Sequence, residues 1–89
     1  MPVRRRVRAH GHVQGVFFRD SVQRLAQERG VAGWVTNRSD GTVEAVFEGE
    51  PSAVDALVDA CRRGPGRARV ERLDVGAEPA EGLESFDVR

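Results

Sequence analysis

Lysine is absent from this 89-residue chain, and all 14 of its basic residues are arginine. That excludes the glycine-rich nucleotide loop that requires a lysine at the phosphates, together with any Schiff-base chemistry. Cysteine is nearly as scarce. Cys61 has no second cysteine, so neither an intrachain disulfide nor a multi-thiolate metal site is available, and a reducing compartment fits. No apolar run approaches the ~20 residues needed to cross a bilayer. The opening MPVRRRVRAH is too polar for a signal peptide, so a cytoplasmic protein without membrane association is expected. Net charge is missing as well: 14 acidic residues cancel the arginines, which leaves a general polyanion binder little bulk attraction to work with. The length itself excludes a second core, which would need roughly another hundred residues, so residues 1–89 are expected to form a single domain.

What charge there is lies asymmetrically. Residues 1–38 carry eight Arg against Asp20 and Glu28, and residues 39–89 carry six Arg against twelve acids. An anionic partner is therefore expected to meet the first half of the chain.

Hydrophobic periodicity outlines the elements. Val3, Val7 and Ala9 alternate with Arg4, Arg6, Arg8 and His10 as in a strand with one solvated face, with Arg5 breaking the parity so that the buried part begins near Arg6. The Arg4, Arg5, Arg6, Arg8 cluster reads as that solvated face. After Gly11 to Gly15 come Phe18, Val22, Leu25 and Ala26 at helical spacing, with Gly30 as the stop. Trp34 to Arg38 and Thr42 to Glu48 are β-prone runs around Ser39-Asp40-Gly41, a strong hairpin signal. In the second run Val43, Ala45 and Phe47 make one mainly apolar face. Pro51 and Ser52 open a second helix, with Asp55 placed for a capping box and Val54, Leu57, Val58 and Cys61 as its apolar stripe; Gly64-Pro65-Gly66 ends it. Ala68 to Val75 reads as a fourth strand, bulged because Val70 and Leu73 differ in parity, and Phe86 to Val88 as a short last one. The order βαββαβ with right-handed crossovers predicts an α+β, ferredoxin-like sandwich: an antiparallel sheet with two helices on one face.

Within that frame the segment GHVQGVFFR, Gly11 to Arg19, is a glycine-flanked turn between a strand and a helix. Such turns aim successive backbone N–H groups at one point and bind anions. Arg19 follows in the helix's first turn, where a guanidinium fork can grip two phosphate oxygens and the helix dipole adds potential of the same sign. The crossover makes strands one and two parallel, so Asn37 comes to the same sheet edge, and a neutral amide there can hold a water. Elsewhere His10 and His12, lacking neighbouring Cys or acids, make a poor metal site and read as surface or loop-shaping groups. Cys61 reads as packing, and Phe17, Phe18 and Trp34 as core and pocket wall.

GHVQGVFFR, followed by GWVTN, the Asp-Gly turn, GTVEAVFEG and the Gly-Pro after the second helix, resembles the acylphosphatase family over nearly the whole chain. The resemblance implies hydrolysis of the carboxyl–phosphate anhydride of small acyl phosphates, with no metal, no cofactor and no phosphoenzyme. It also implies roles: Arg19 binds the phosphate, Asn37 orients the attacking water, and the loop His12, Val13, Gln14, Gly15, Val16 and Phe17 supplies backbone donors. With no convincing His or carboxylate base at hand, the water's proton is expected to pass to a phosphate oxygen of the substrate.

Two other readings compete. The same sandwich hosts RNA-binding modules, and the basic first half could track a phosphate backbone, although no aromatic pattern of the RNA-binding kind appears on the central strands and no nucleic-acid partner is expected. The other is similarity to the acylphosphatase-like domain that heads larger hydrogenase-maturation proteins, where carbamoyl phosphate is the substrate. Since the sequence stops after the domain, a free-standing enzyme is expected, and a monomer by default.

Overall fold

The computed structural model describes all 89 residues. The elements run β1 (Val3–His12), α1 (Phe18–Arg29), β2 (Ala32–Asn37), β3 (Val43–Gly49), α2 (Pro51–Arg63), β4 (Arg69–Glu78) and β5 (Phe86–Val88). The strands form one sheet in the order β4-β1-β3-β2-β5. The first four pair antiparallel, as the ferredoxin-like reading requires, and β5 adds a parallel edge beside β2. Because β1 and β2 both run antiparallel to β3, they point the same way and deliver their C-terminal ends to one edge of the sheet.

Both helices lie on the same face. Phe18, Val22 and Ala26 of α1, and Val54, Leu57, Val58 and Cys61 of α2, meet Val7, Ala9, Val35, Val43, Ala45, Phe47 and Phe86 of the sheet in one cluster. Each Val, Leu and Phe among them contributes about 1.5–3 kcal/mol by leaving water. Cys61 is completely buried, and burial pushes its thiol up to about 12, so it packs as an inert hydrophobe. The helix stop falls at Gly30, where the amides of Gly30 and Val31 turn back to Gln27 and Ala26.

Several local expectations need correction. Ser52 and Asp55 form no capping box: α2 starts at Pro51, its N-cap is Glu50, and no side chain caps it. Proline at the first helical position has no N–H to satisfy, and the first turn closes on the main chain, Val54 N–H to the Glu50 oxygen at 2.9 Å. The bulge in β4 is present, opposite His10 and Gly11, where Glu71 is the unpaired residue, but the strand continues to Glu78 because its backbone still pairs with Arg4.

The larger correction concerns the open face. Arg4, Arg6 and Arg8 do not form a solvated stripe. Arg4 is only 3% exposed, bonded to Glu48 at 2.6 Å and to Glu78 at 2.8 Å. Arg6 pairs with Glu44 and Glu78, and Glu44 also takes Arg8 and Arg38. The remaining acceptor capacity of Glu48 is filled by the amides of Glu81, Gly82 and Leu83. As a result β3 is buried on both sides from Val43 to Glu48: the apolar face of Val43, Ala45 and Phe47 joins the core, and the ion pairs cover the other. Trp34 belongs to neither core nor pocket wall. It lies on this open face in the row Arg6–Val46–Trp34, with the guanidinium carbons of Arg6 and Arg89 at 5.4 and 4.9 Å from its ring centre.

Candidate active site

The ends of β1 and β2 enclose a cavity of about 230 Å³ lined by Val13, Gly15, Phe17, Phe18, Arg19, Asp20 and Asn37. The turn that walls it owes its shape to two left-handed residues, Gly15 at φ 72° and Phe17 at φ 65°. Alternation between the two hands of backbone conformation gathers N–H groups on the concave side. None of the amides from Val13 to Phe17 donates to a protein acceptor, and the first amide beyond them to do so within the helix is Ser21, to the Phe17 oxygen at 3.1 Å. The amides of Phe18, Arg19 and Asp20 join the unpartnered set by helix geometry, since a first turn has no acceptors behind it. The carbonyls are directed elsewhere: Val16 oxygen accepts from the Arg67 amide at 3.0 Å.

Arg19 and Asn37 enter this cavity from different elements. Arg19 is the second residue of α1, and its Nη1 donates to the Arg89 main-chain oxygen at 3.2 Å. The same oxygen accepts from the Thr36 hydroxyl at 3.1 Å, so the guanidinium is held at one corner with its other donors free. Asn37 ends β2 and is exposed. It is not the self-bonded turn residue that its position beside a hairpin commonly makes it, for the Thr36 hydroxyl meets its main-chain oxygen and leaves its carboxamide untied.

Of the loop residues named from sequence, Val13, Gly15 and Phe17 line the cavity. His12 is the last residue of β1, opposite Arg69, and Val16 turns its side chain into the core. Gln14 does something the sequence did not suggest: its Nε2 donates to the Arg38 oxygen at 2.7 Å and the Thr42 oxygen at 2.9 Å, tying the loop to the hairpin that carries Asn37. Asp20 was also missed as a lining residue, though an acid in a first helical turn was visible as a dipole partner. His10 faces Asp74 at 2.9 Å and Arg72 at 3.2 Å, away from the cavity.

A glycine-bearing turn with unpartnered amides, feeding a helix whose second residue is arginine, defines a ferredoxin-like protein with a cluster of free donors at the shared end of its two parallel strands. The family can be named from the comparisons. Residues 5–88 match the acylphosphatase family model. An acylphosphatase of Gloeobacter violaceus is 57% identical over 86 residues, covering 92% of each chain. The structure of an acylphosphatase from Coxiella burnetii superposes with a TM-score of 0.93 at 38% identity, covering 99% of this chain and 93% of that one. Full-length HypF, in its phosphate- and nucleotide-bound form, contains a similar unit at TM-score 0.92 and 26% identity, which spans 12% of its chain. This chain belongs to the acylphosphatase family.

Proposed function

We propose that this protein hydrolyses small acyl phosphates to carboxylate and inorganic phosphate by direct attack of water at phosphorus. The amides of Val13 to Phe17 and the N-terminus of α1 receive the phosphoryl oxygens, and Arg19 clamps them through its fork. Asn37 orients the water. An acyl phosphate already carries a good leaving group, so positioning and charge stabilisation suffice, and no covalent intermediate or metal is required of the site. The water's proton passes to a phosphate oxygen, which makes the substrate its own base. The observation that carries this reading is the run of unpartnered N–H groups beside Arg19 and Asn37 in one cavity.

A phosphate-backbone-binding module is the competing reading, and the open face weighs against it. In RNA-binding sandwiches that face offers free cations and stacking rings. Here Arg4, Arg6, Arg8 and Arg38 are occupied by Glu44, Glu48 and Glu78, and Trp34 is flanked by two guanidinium groups. The test is benzoyl phosphate hydrolysis with a chelator present. Arg19→Ala and Asn37→Ala are expected to retain native circular dichroism and to lose about a thousandfold and about a hundredfold or more in kcat/KM, the range seen when a preorganised donor is removed. A folded but inactive wild type refutes hydrolysis, and chelator-sensitive activity refutes the metal-free route.

A further inference from the structure

We infer that the Phe17 side chain is the acyl-group contact of this site, selecting aromatic and bulky apolar acyl phosphates over acetyl-sized ones. The inference rests on the acyl phosphate hydrolysis proposed above and assigns the half of the substrate that the cradle does not hold.

Phe17 is expensive where it stands. It is the one residue other than glycine with a positive φ, at 65°, a conformation that costs a bulky L-residue about 1–2 kcal/mol. It occupies the N-cap of α1 without contributing a capping bond, a position where Ser, Asp or Asn would satisfy an amide. The residue is 63% exposed. If the site needed only the backbone shape, glycine would supply it without strain, as Gly15 does two residues earlier at φ 72°. Three local costs meet at one position: the strain comes with any Cβ, and the missing cap and the exposed apolar surface come with the ring.

The main chain beneath that ring is fixed on both sides. Val16 oxygen is bonded to the Arg67 amide at 3.0 Å and Phe17 oxygen to the Ser21 amide at 3.1 Å. A ring on so firm an anchor has only its own two side-chain torsions left to order when it meets a ligand. The cavity it borders combines polar groups, Arg19, Asp20, Asn37 and the unpartnered amides, with one exposed apolar side chain, Phe17, since the Val13 and Phe18 side chains are buried in the core. The other exposed large hydrophobics, Met1 and Val75, lie outside this lining. An acyl phosphate is divided in the same way, a dianionic phosphoryl end joined through one oxygen to an apolar acyl end. In-line attack by a water at Asn37 sends the leaving carboxylate away from that residue, and Phe17 enters from the loop–helix junction rather than from β2.

The test compares kcat/KM for benzoyl phosphate and acetyl phosphate in wild type, Phe17→Ala and Phe17→Tyr. Dividing each variant by wild type cancels the different reactivities of the two anhydrides. Phe17→Ala is expected to lose about fivefold more on benzoyl than on acetyl phosphate, the scale of one offset ring contact, and Phe17→Tyr to restore the wild-type ratio. Competitive inhibition by inorganic phosphate, which has no acyl group, is expected to track the acetyl phosphate result. An equal loss on both substrates in Phe17→Ala, which leaves the ratio at its wild-type value, overturns the inference while leaving hydrolysis in place. A folded wild type inactive on both overturns hydrolysis itself, and the inference with it.

Discussion

Replacing Gly66 by alanine adds a single methyl group, yet that group would stand 2.6 Å from the Val16 oxygen and 3.1 Å from the Phe17 oxygen. The first distance is about 0.8 Å short of ordinary van der Waals contact at 3.4 Å. Both atoms encountered are backbone, so the strain cannot be relieved by rotating a side chain. The backbone at Gly66 is also left-handed, φ 65°, which alanine adopts at a cost of about 1 kcal/mol. Much of the displacement therefore falls on the turn whose amides form the proposed cradle, because Val16 and Phe17 belong to it. A shift approaching 1 Å in a positioning element costs on the order of a hundredfold in rate. Gly66→Ala is accordingly expected to lower kcat/KM for benzoyl phosphate about 30- to 100-fold and to weaken inhibition by inorganic phosphate, while unfolding midpoints in urea report a loss of about 1–2 kcal/mol. Steady-state kinetics on the variant, with its fold checked by circular dichroism, decide the matter. A folded variant with kcat/KM within threefold of wild type would show that the cradle does not depend on this brace, and the reasoning would fail.

Arg19→Lys is expected to be nearly as damaging as Arg19→Ala, because a point charge cannot form a two-pronged grip; a lysine variant within tenfold of wild type on benzoyl phosphate would refute the fork. Glu48→Ala removes the 2.6 Å partner of buried Arg4 and the acceptor of three amides, and thermal melts are expected to show a loss of about 3 kcal/mol, a fall in Tm of roughly 12–24 °C for a domain of this size. Acid is expected to weaken the same face. The guanidinium groups of Arg6 and Arg4 hold Glu78 at about 2, and for Glu48 the hydrogen bonds from Arg4 and the three amides outweigh a burial penalty that pushes the other way. Because both folded values lie below the ordinary 4.5, their stabilisation is complete above that pH and drains away as pH falls toward 2. Urea midpoints are expected to drop across that window, and a flat profile, or one unchanged by Glu78→Gln, would contradict the assignment.

The elements that could be read from sequence are those set by neighbours in the chain. The stripe of Phe18, Val22 and Ala26, the Asp40-Gly41 turn and the Gly30 stop each depend on residues within one or two turns of themselves. The turn at the candidate site is legible for the same reason, since Gly11 to Arg19 is a continuous segment. Contacts between distant segments were not. Arg4 reads as solvated until Glu48 and Glu78 arrive from two other strands, and alternation alone cannot distinguish a wet face from an ion-paired one. Gln14 likewise reads as a backbone donor, and its side chain's bond to the Arg38 and Thr42 oxygens exists only once the hairpin has folded beside the loop. The capping box failed over a single residue of helix start, and Pro51 decided it.

The ionic roof over β3 also explains how a chain with oppositely charged halves can be neutral and compact. Glu44, Glu48 and Glu78 come from the acidic half, while Arg4, Arg6, Arg8 and Arg38 come from the basic one. Each segment thus holds the counter-ions of the other, and a fragment ending at Arg38 would keep its guanidinium groups without the carboxylates that quench them. Folding and charge neutralisation become one event, and the central strand gains its second cover from side chains rather than from another layer of backbone.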